Sequence, residues 1–151
     1  MGEGMNKETF EGLELRNSTQ QRVRYGDTDK MGVVYNGNYF YYFEIGRTEL
    51  FRSLGLPYAV FEQNGIMLPL IESRAFYNQP ALYDDLLEIE TSYVHSGGPR
   101  PRFDYTIRRG EDIICTGYTV HSYMNSETRR PGRVPAFFVE FLRKHSEKLE
   151  K

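Results

Sequence analysis

Arg24-Tyr25-Gly26-Asp27-Thr28-Asp29-Lys30-Met31-Gly32-Val33-Val34-Tyr35-Asn36-Gly37-Asn38-Tyr39 reads as a strand end, an acidic loop and a helix start in one short run. An aspartate just ahead of a helix places a carboxylate beside backbone N–H groups that have no intrahelical acceptor. The carboxylate can serve as base or nucleophile, and the amides can hold a developing negative oxygen. On residue types alone this is a carboxylate-dependent site at a helix start. Asp29 also admits a structural reading, as a cap or a brace for the loop.

Upstream of this run, Thr19 to Tyr25 alternates, with Val23 and Tyr25 on one side and Arg22 and Arg24 on the other, which predicts a strand. Residues 1–17 are polar and are expected to form a flexible N-terminal segment, leaving one folded domain over residues 18–151. Downstream, Tyr39, Phe43, Gly46, Leu50 and Leu54 recur every three or four residues and predict a helix, capped by Asn36 or Asn38 and ended by Gly55. Gly46 weakens a helix by about 1 kcal/mol relative to Ala, so its place on the apolar stripe implies close packing on a sheet. Phe40 and Phe51 lie off the stripe and suggest a subunit contact. Glu44 and Arg47, three apart, form an ion pair or leave Glu44 facing a substrate crevice.

Pro57 to Gln63 predicts a short second helix. A strand-like run from Ile66 to Tyr77 is bent near Pro69. Leu87, Ile89, Thr91 and Tyr93 alternate with polar residues, as do Phe103, Tyr105 and Ile107. Arg109-Gly110-Glu111-Asp112 marks a hairpin turn into a partner strand from Ile113 to Met124. A terminal amphipathic helix follows Pro135, with Phe137, Phe138, Phe141 and Leu142 on its apolar side. Clean alternation means antiparallel strands with one covered face, and the long helix is there to cover it. The expected class is α+β.

The chain has 151 residues, enough for a single domain with a real core. Its 12 Tyr and 10 Phe exclude a disordered chain and suggest half-wet sheet faces or subunit contacts. A net charge of −2 gives no case for nucleic-acid binding. Arginines group at Arg100/Arg102, Arg108/Arg109 and Arg129/Arg130/Arg133, as solvated loops or as a site for a phosphate-bearing small ligand. No apolar run reaches the about 18 residues that a membrane span needs, and the N-terminal stretch is polar, unlike a signal region. Cys115 sits in an apolar strand pattern and reads as a buried structural thiol, which fits a cytoplasmic protein. Asp27 and Asp29 copy part of a calcium loop, but Met31 and Asn38 stand where ligands are required. His95, His121 and His145 lack metal-ligand spacing, so no metal is expected. Gly-x-Ser-x-Gly and Gly-x-Gly-x-x-Gly are absent, which removes the grounds for a serine hydrolase elbow or dinucleotide binding.

Together with Phe43-Glu44, Arg47-Thr48-Glu49, Asp84-Asp85-Leu86-Leu87-Glu88-Ile89 and Arg133-Val134-Pro135, the opening run resembles the signature of hotdog-fold acyl-CoA thioesterases of the 4-hydroxybenzoyl-CoA thioesterase type. The resemblance covers residues 19–143 and implies an antiparallel sheet wrapped round a long central helix. It implies a homodimer with sheets joined edge to edge, commonly doubled to a homotetramer, with active sites at the dimer interface. Asp29 falls on the family's catalytic aspartate, which attacks the thioester carbonyl or activates water. Backbone amides near Tyr35 and Asn36 would polarise the carbonyl. Gly32, Val33, Asn38, Tyr39 and Glu44 would contact the substrate, and Phe61 and Met67 would line an acyl pocket. Arg100, Arg102, Arg129 or Arg130 would meet the coenzyme A phosphates. No metal or redox cofactor is implied.

Relatives often carry His where this chain has Asn36, which can donate a hydrogen bond but cannot shuttle a proton. The implied function is hydrolysis of an acyl-CoA thioester to free acid and coenzyme A. The alternative on the same fold is a non-catalytic protein that binds acyl-CoA or an acyl carrier protein. Hydratase chemistry would normally need a histidine near the central helix, and none precedes His95.

Overall fold

The computed structural model describes residues 8–149, so the expectation for the first seven residues lies outside it. Its strands are β1 (Glu14–Arg22), β2 (Ile66–Met67), β3 (Leu70–Tyr77), β4 (Leu86–Val94), β5 (Arg102–Arg109), β6 (Asp112–His121), β7 (Tyr123–Asn125) and β8 (Pro131–Gly132); its helices are α1 (Asn38–Ser53), α2 (Tyr58–Gln63) and α3 (Ala136–Leu149). The main sheet has five strands in the order β1-β4-β5-β6-β3, and β2-β7-β8 form a small second sheet. All pairings are antiparallel.

The alternating residues of β4 and β5 sit where their pattern puts them. Leu87, Ile89, Thr91 and Tyr93 are buried, as are Phe103, Tyr105 and Ile107 across the register. Helix α1 lies on this face. Phe43 stacks on Tyr105 with ring centroids 4.4 Å apart and planes 8° off parallel. Gly46 permits the contact, because a Cβ there would overlap Thr91 Oγ1 and lie 2.8 Å from Ile89 Cγ2. Gly55, at φ +74°, ends the helix region in a conformation suited to glycine.

Three expectations need correction. β1 begins at Glu14 rather than Thr19, and Phe10, Leu13 and Leu15 are buried, so the stretch from residue 10 to 17 belongs to the fold. Pairing of Glu14 to Arg22 with Leu86 to Val94 fixes that strand despite its polar sequence. Tyr25 does not share a side with buried Val23. A single 3-10 turn (Tyr25–Asp27) breaks the alternation and leaves Tyr25 78% exposed. Phe51 needs no second subunit to cover it, since Tyr58 and Phe61 of α2 pack against its ring.

α3 closes the far end of the sheet, where Phe138 meets the rings of Tyr93, His95 and Tyr123. β3 is an edge strand of the main sheet, and Leu70, Ile71, Phe76 and Tyr77 on it are exposed. No helix among the described residues is long and apolar enough to cross a membrane.

Candidate active site

The loop before α1 is a tight hairpin. Thr28 bridges Val34, Asp29 N–H donates to the Val33 carbonyl at 2.9 Å, and Tyr35 N–H donates to the Asp27 carbonyl at 3.0 Å. Asp29 Oδ1 closes the turn by accepting the Met31 N–H at 2.8 Å. Gly32, at φ +80°, takes a backbone conformation that a side chain would strain. A bridge from Val33 to Leu82 and a 2.9 Å bond from Val34 N–H to the Ala81 carbonyl clamp the hairpin to the turn before β4.

The two aspartates differ in what they hold. Asp27 Oδ2 accepts the Arg24 N–H at 3.0 Å and the hydroxyl of buried Tyr42 at 2.9 Å. Burial, and then the Asp27 carboxylate, push the Tyr42 hydroxyl well above the usual phenol range. Asp27 is thus a brace. Asp29 is half-buried and meets no cation within ion-pair distance among the described residues. Its Oδ2 accepts no hydrogen bond from them.

The free amides lie one position further on than the sequence suggested. Tyr35 N–H is spent on Asp27, whereas the N–H groups of Asn36 and Gly37 find no acceptor among the described residues. Neither Asn36 nor Asn38 caps the helix. Gly37 is the cap residue and offers no side chain. Tyr35 itself is 59% exposed, and the Asn36 carbonyl accepts the Tyr77 hydroxyl at 3.1 Å. Gly37 and Tyr77 were not singled out from sequence. A glycine immediately before the apolar stripe was the available signal for a bare helix start.

Other residues expected at the substrate have structural partners. Asn38 gives its side-chain amide to the Asp27 carbonyl at 2.7 Å. Tyr39 is 3% exposed, and its hydroxyl accepts the Ala81 N–H at 3.2 Å, which makes it core. Arg102 lies on the outer sheet face, bound to Asp104 at 2.9 Å and stacked 4.0 Å over Tyr118. Arg100 instead borders a groove of about 520 Å³ with Ile71, Ser122 and Pro131. Arg129, Arg130 and Arg133 in the adjoining segment have no carboxylate partner among the described residues.

Glu44 does not pair with Arg47. Both line a cleft of about 300 Å³ that also includes Phe61 and Met67. Cys115 is buried and its thiol is pushed up to about 12 by burial, which suits a structural thiol rather than a nucleophile.

A long helix on an antiparallel sheet, led by a hairpin with an unpaired carboxylate and two open amides, is an arrangement suited to acyl transfer to water. Comparison with known proteins agrees with that class. The model of the thioesterase-like superfamily matches residues 23–142. YneP of Bacillus subtilis strain 168 is 34% identical over 110 residues, which are 72% of this chain and 80% of YneP. The 1,4-dihydroxy-2-naphthoyl-CoA hydrolase of Synechococcus elongatus is 28% identical over 125 residues, 82% of this chain and 92% of that enzyme. Among solved structures, the DHNA-CoA thioesterase of Staphylococcus aureus superposes with a TM-score of 0.80 at 28% identity, covering 89% of this chain and 91% of that one. The chain belongs to the thioesterase-like superfamily and is a thioester hydrolase of the hotdog fold.

Proposed function

We propose that the protein hydrolyses an acyl-CoA thioester to the free acid and coenzyme A, with Asp29 as the reacting carboxylate. The carrying observation is the unpaired state of Asp29 beside the open Asn36 and Gly37 amides. In one route the Asp29 carboxylate adds to the thioester carbonyl carbon. The C–S bond breaks, coenzyme A leaves as thiolate, and water hydrolyses the resulting mixed anhydride. In the other, Asp29 takes a proton from water and hydroxide adds to the same carbon. Both build negative charge on the carbonyl oxygen, where the two amides would stabilise it, each such donor contributing roughly 100- to 1000-fold in rate. Asn36 can add its side-chain amide but no proton transfer.

The site is completed by a second copy of the chain. β3 presents an unpaired edge with exposed Leu70, Ile71, Phe76 and Tyr77, a feature that soluble proteins normally cover. Antiparallel pairing of β3 with its own copy about a two-fold axis sets the Leu70 end of one strand beside the Tyr77 end of the other. The Tyr77 end carries the Asp29 hairpin, through the bond to Asn36. The Leu70 end adjoins the Glu44–Arg47 cleft and the Arg100 groove. These ends are roughly 20 Å apart within one chain and are adjacent across the pair. Arg100, with Arg129, Arg130 and Arg133, then takes the coenzyme A phosphates in place of Arg102.

The test is thiol release from a panel of acyl-CoAs by the wild-type protein and by Asp29→Asn. The asparagine keeps an oxygen for the Met31 N–H, so folding should be preserved while turnover falls at least about 100-fold. Full activity in that variant removes Asp29 from the mechanism. Label in the Asp29 carboxyl group after a single turnover in 18O-labelled water identifies the nucleophilic route with water entering at Asp29; where water enters at the acyl carbon both routes label the product acid, and rapid-quench trapping of the acyl-Asp29 anhydride separates them. Saturable binding with no thiol release from any thioester would favour a binding protein on the same fold.

A further inference from the structure

The peptide unit between Asn36 and Gly37 carries an open amide on one side and a bonded carbonyl on the other. The unit is trans and planar, so its C=O and N–H point in opposite directions and turn together. The Gly37 N–H finds no acceptor among the described residues, while the Asn36 carbonyl accepts the Tyr77 hydroxyl at 3.1 Å and the Tyr39 N–H at 3.4 Å. The bond from Tyr39 is long because the first turn of α1 closes in the tighter three-residue pattern, with Asn38 N–H on the Tyr35 carbonyl and Phe40 N–H on the Gly37 carbonyl. Hydrogen bonds in that pattern have poorer geometry than those of an α-helix, so the helix alone holds this unit loosely.

Tyr77 reaches the unit from another element. It ends β3, opposite Cys115 of β6, and its ring meets that of Tyr39 edge-on, with centroids 5.4 Å apart and planes 62° from parallel. Tyr39 is core, so the Tyr77 ring is lodged against a fixed neighbour although half of it is open to solvent. On the other flank the Tyr35 ring lies over Gly37, where an added Cβ would come within 2.8 Å of Tyr35 Cε2. A carbonyl can only accept, so the hydrogen of the Tyr77 hydroxyl is committed to Asn36. Burial raises that hydroxyl above the usual phenol range, which keeps it a neutral donor.

We propose that Tyr77 is a positioning residue for hydrolysis: by donating to the Asn36 carbonyl it fixes the plane of the Asn36–Gly37 peptide and so aims the Gly37 N–H at the thioester carbonyl oxygen. This rests on the acyl-CoA reading above, in which that amide holds the oxygen as it becomes negative. A hydrogen bond accepted at C=O also polarises the N–H of the same unit and makes it a stronger donor. Tyr77 acts through Gly37 and not as an acid toward the departing sulfur, since its hydrogen is held by Asn36. It stands on the edge strand that would pair with a second copy, so the same side chain ties the open amide to that junction.

Removing such a donor outright costs roughly 100- to 1000-fold in rate. Tyr77→Phe leaves the amide in place but frees its plane, so kcat should fall about 10- to 100-fold with KM changed less than about 3-fold. The variant keeps the ring and its contact with Tyr39. The experiment uses the full chain, wild type and Tyr77→Phe, assayed for thiol release from acyl-CoAs between about pH 6 and 10. Alongside it, NMR of the 13C,15N-labelled proteins without ligand follows the Asn36 carbonyl carbon and the Gly37 amide nitrogen. Both resonances should move in the variant while those of Leu50 and Ile107 in the core stay, which shows that the fold is kept. The kcat profile should drop by one factor at every pH. A variant with wild-type kcat, a loss carried by KM, or the disappearance of an alkaline limb that marks an acid each overturns the proposal. Unmoved Asn36 and Gly37 resonances overturn it whatever the activity. Resonances that move in a protein releasing no thiol from any thioester refute the hydrolase reading and keep Tyr77 as the group that orients the amide. An active wild type with an equally active variant does the reverse.

Discussion

Gly46→Ala is the sharpest probe of how α1 seats on the sheet. In a solvent-facing helix the change would stabilise by about 1 kcal/mol. Here the new methyl would overlap Thr91 Oγ1 and sit 2.8 Å from Ile89 Cγ2, both on interior strand β4 and both buried. Overpacking at such a point costs about 1–3 kcal/mol. The upper part of that range applies because β1 and β5 flank β4 and limit its retreat, so a net loss of about 2 kcal/mol is expected. Thr91 sharpens the test, since its Oγ1 is buried without a hydrogen-bond partner among the described residues. Thr91→Ala relieves that unmet group, worth about 1–3 kcal/mol, and loses one buried methyl, worth about 1 kcal/mol. It should be neutral or mildly stabilising alone. It also removes the atom that the methyl added at position 46 strikes. The double variant should therefore recover at least about 1 kcal/mol beyond additivity. Urea unfolding at one fixed protein concentration measures all four proteins of the cycle, the fixed concentration excluding shifts from subunit association. A stabilised Gly46→Ala protein, or a strictly additive pair, would refute the claim that glycine is required for this contact.

Asp27→Ala should destabilise by about 2 kcal/mol, because it leaves the buried Tyr42 hydroxyl without its acceptor. Turnover should fall with it as the hairpin holding Asp29 loosens; unfolding curves showing wild-type stability would disprove the brace. The buried histidines set the acid response. His121 is held down to about 4 by burial and by Arg47, and burial also lowers His95. The unfolded chain, with ordinary imidazoles near 6.5, then binds more protons than the folded one between about pH 6.5 and 4. Stability is full above pH 6.5 and falls on acidification, by about 3 kcal/mol for His121 alone by pH 4. His121→Gln should flatten this slope in unfolding experiments across that window; a variant with the wild-type slope would show that the titration lies elsewhere.

Much of the fold was legible because one face of each major element is uniformly apolar. The stripe through Tyr39, Phe43, Gly46 and Leu50 located α1, and the alternation in β4 and β5 named the buried residues. The start of β1 was not legible. Glu14 to Asn17 contains a single apolar residue, Leu15, and is a strand because β4 supplies its backbone partners at long range. The same holds for the break at Ser122, where the chain leaves the main sheet after β6 and β7 pairs instead with β2. Local alternation carries no sign of a change of partner.

The sequence offered several polar residues for the candidate site, and what sets Asp29 apart among them in the structure is hydrogen-bond accounting. Asp27, Asn38 and Tyr39 are as polar as Asp29 and stand in the same run, so residue type alone gives each an equal claim to the substrate. Folding separates them by what each finds nearby. Asp27 finds Tyr42 and the Arg24 amide, Asn38 finds the Asp27 carbonyl, and Tyr39 finds the Ala81 amide. Each of these partners is set by where the hairpin lies on α1 or on the turn before β4, which no local pattern encodes. Among the described residues the Asp29 carboxylate accepts only the Met31 N–H, the bond that shapes its own turn. A carboxylate left free among satisfied neighbours has its position fixed by their bonds and its charge uncommitted. By the same accounting Arg47, for which the sequence offered Glu44 as an ion-pair partner, donates instead to the Tyr58 hydroxyl, a partner supplied by where α2 packs on α1.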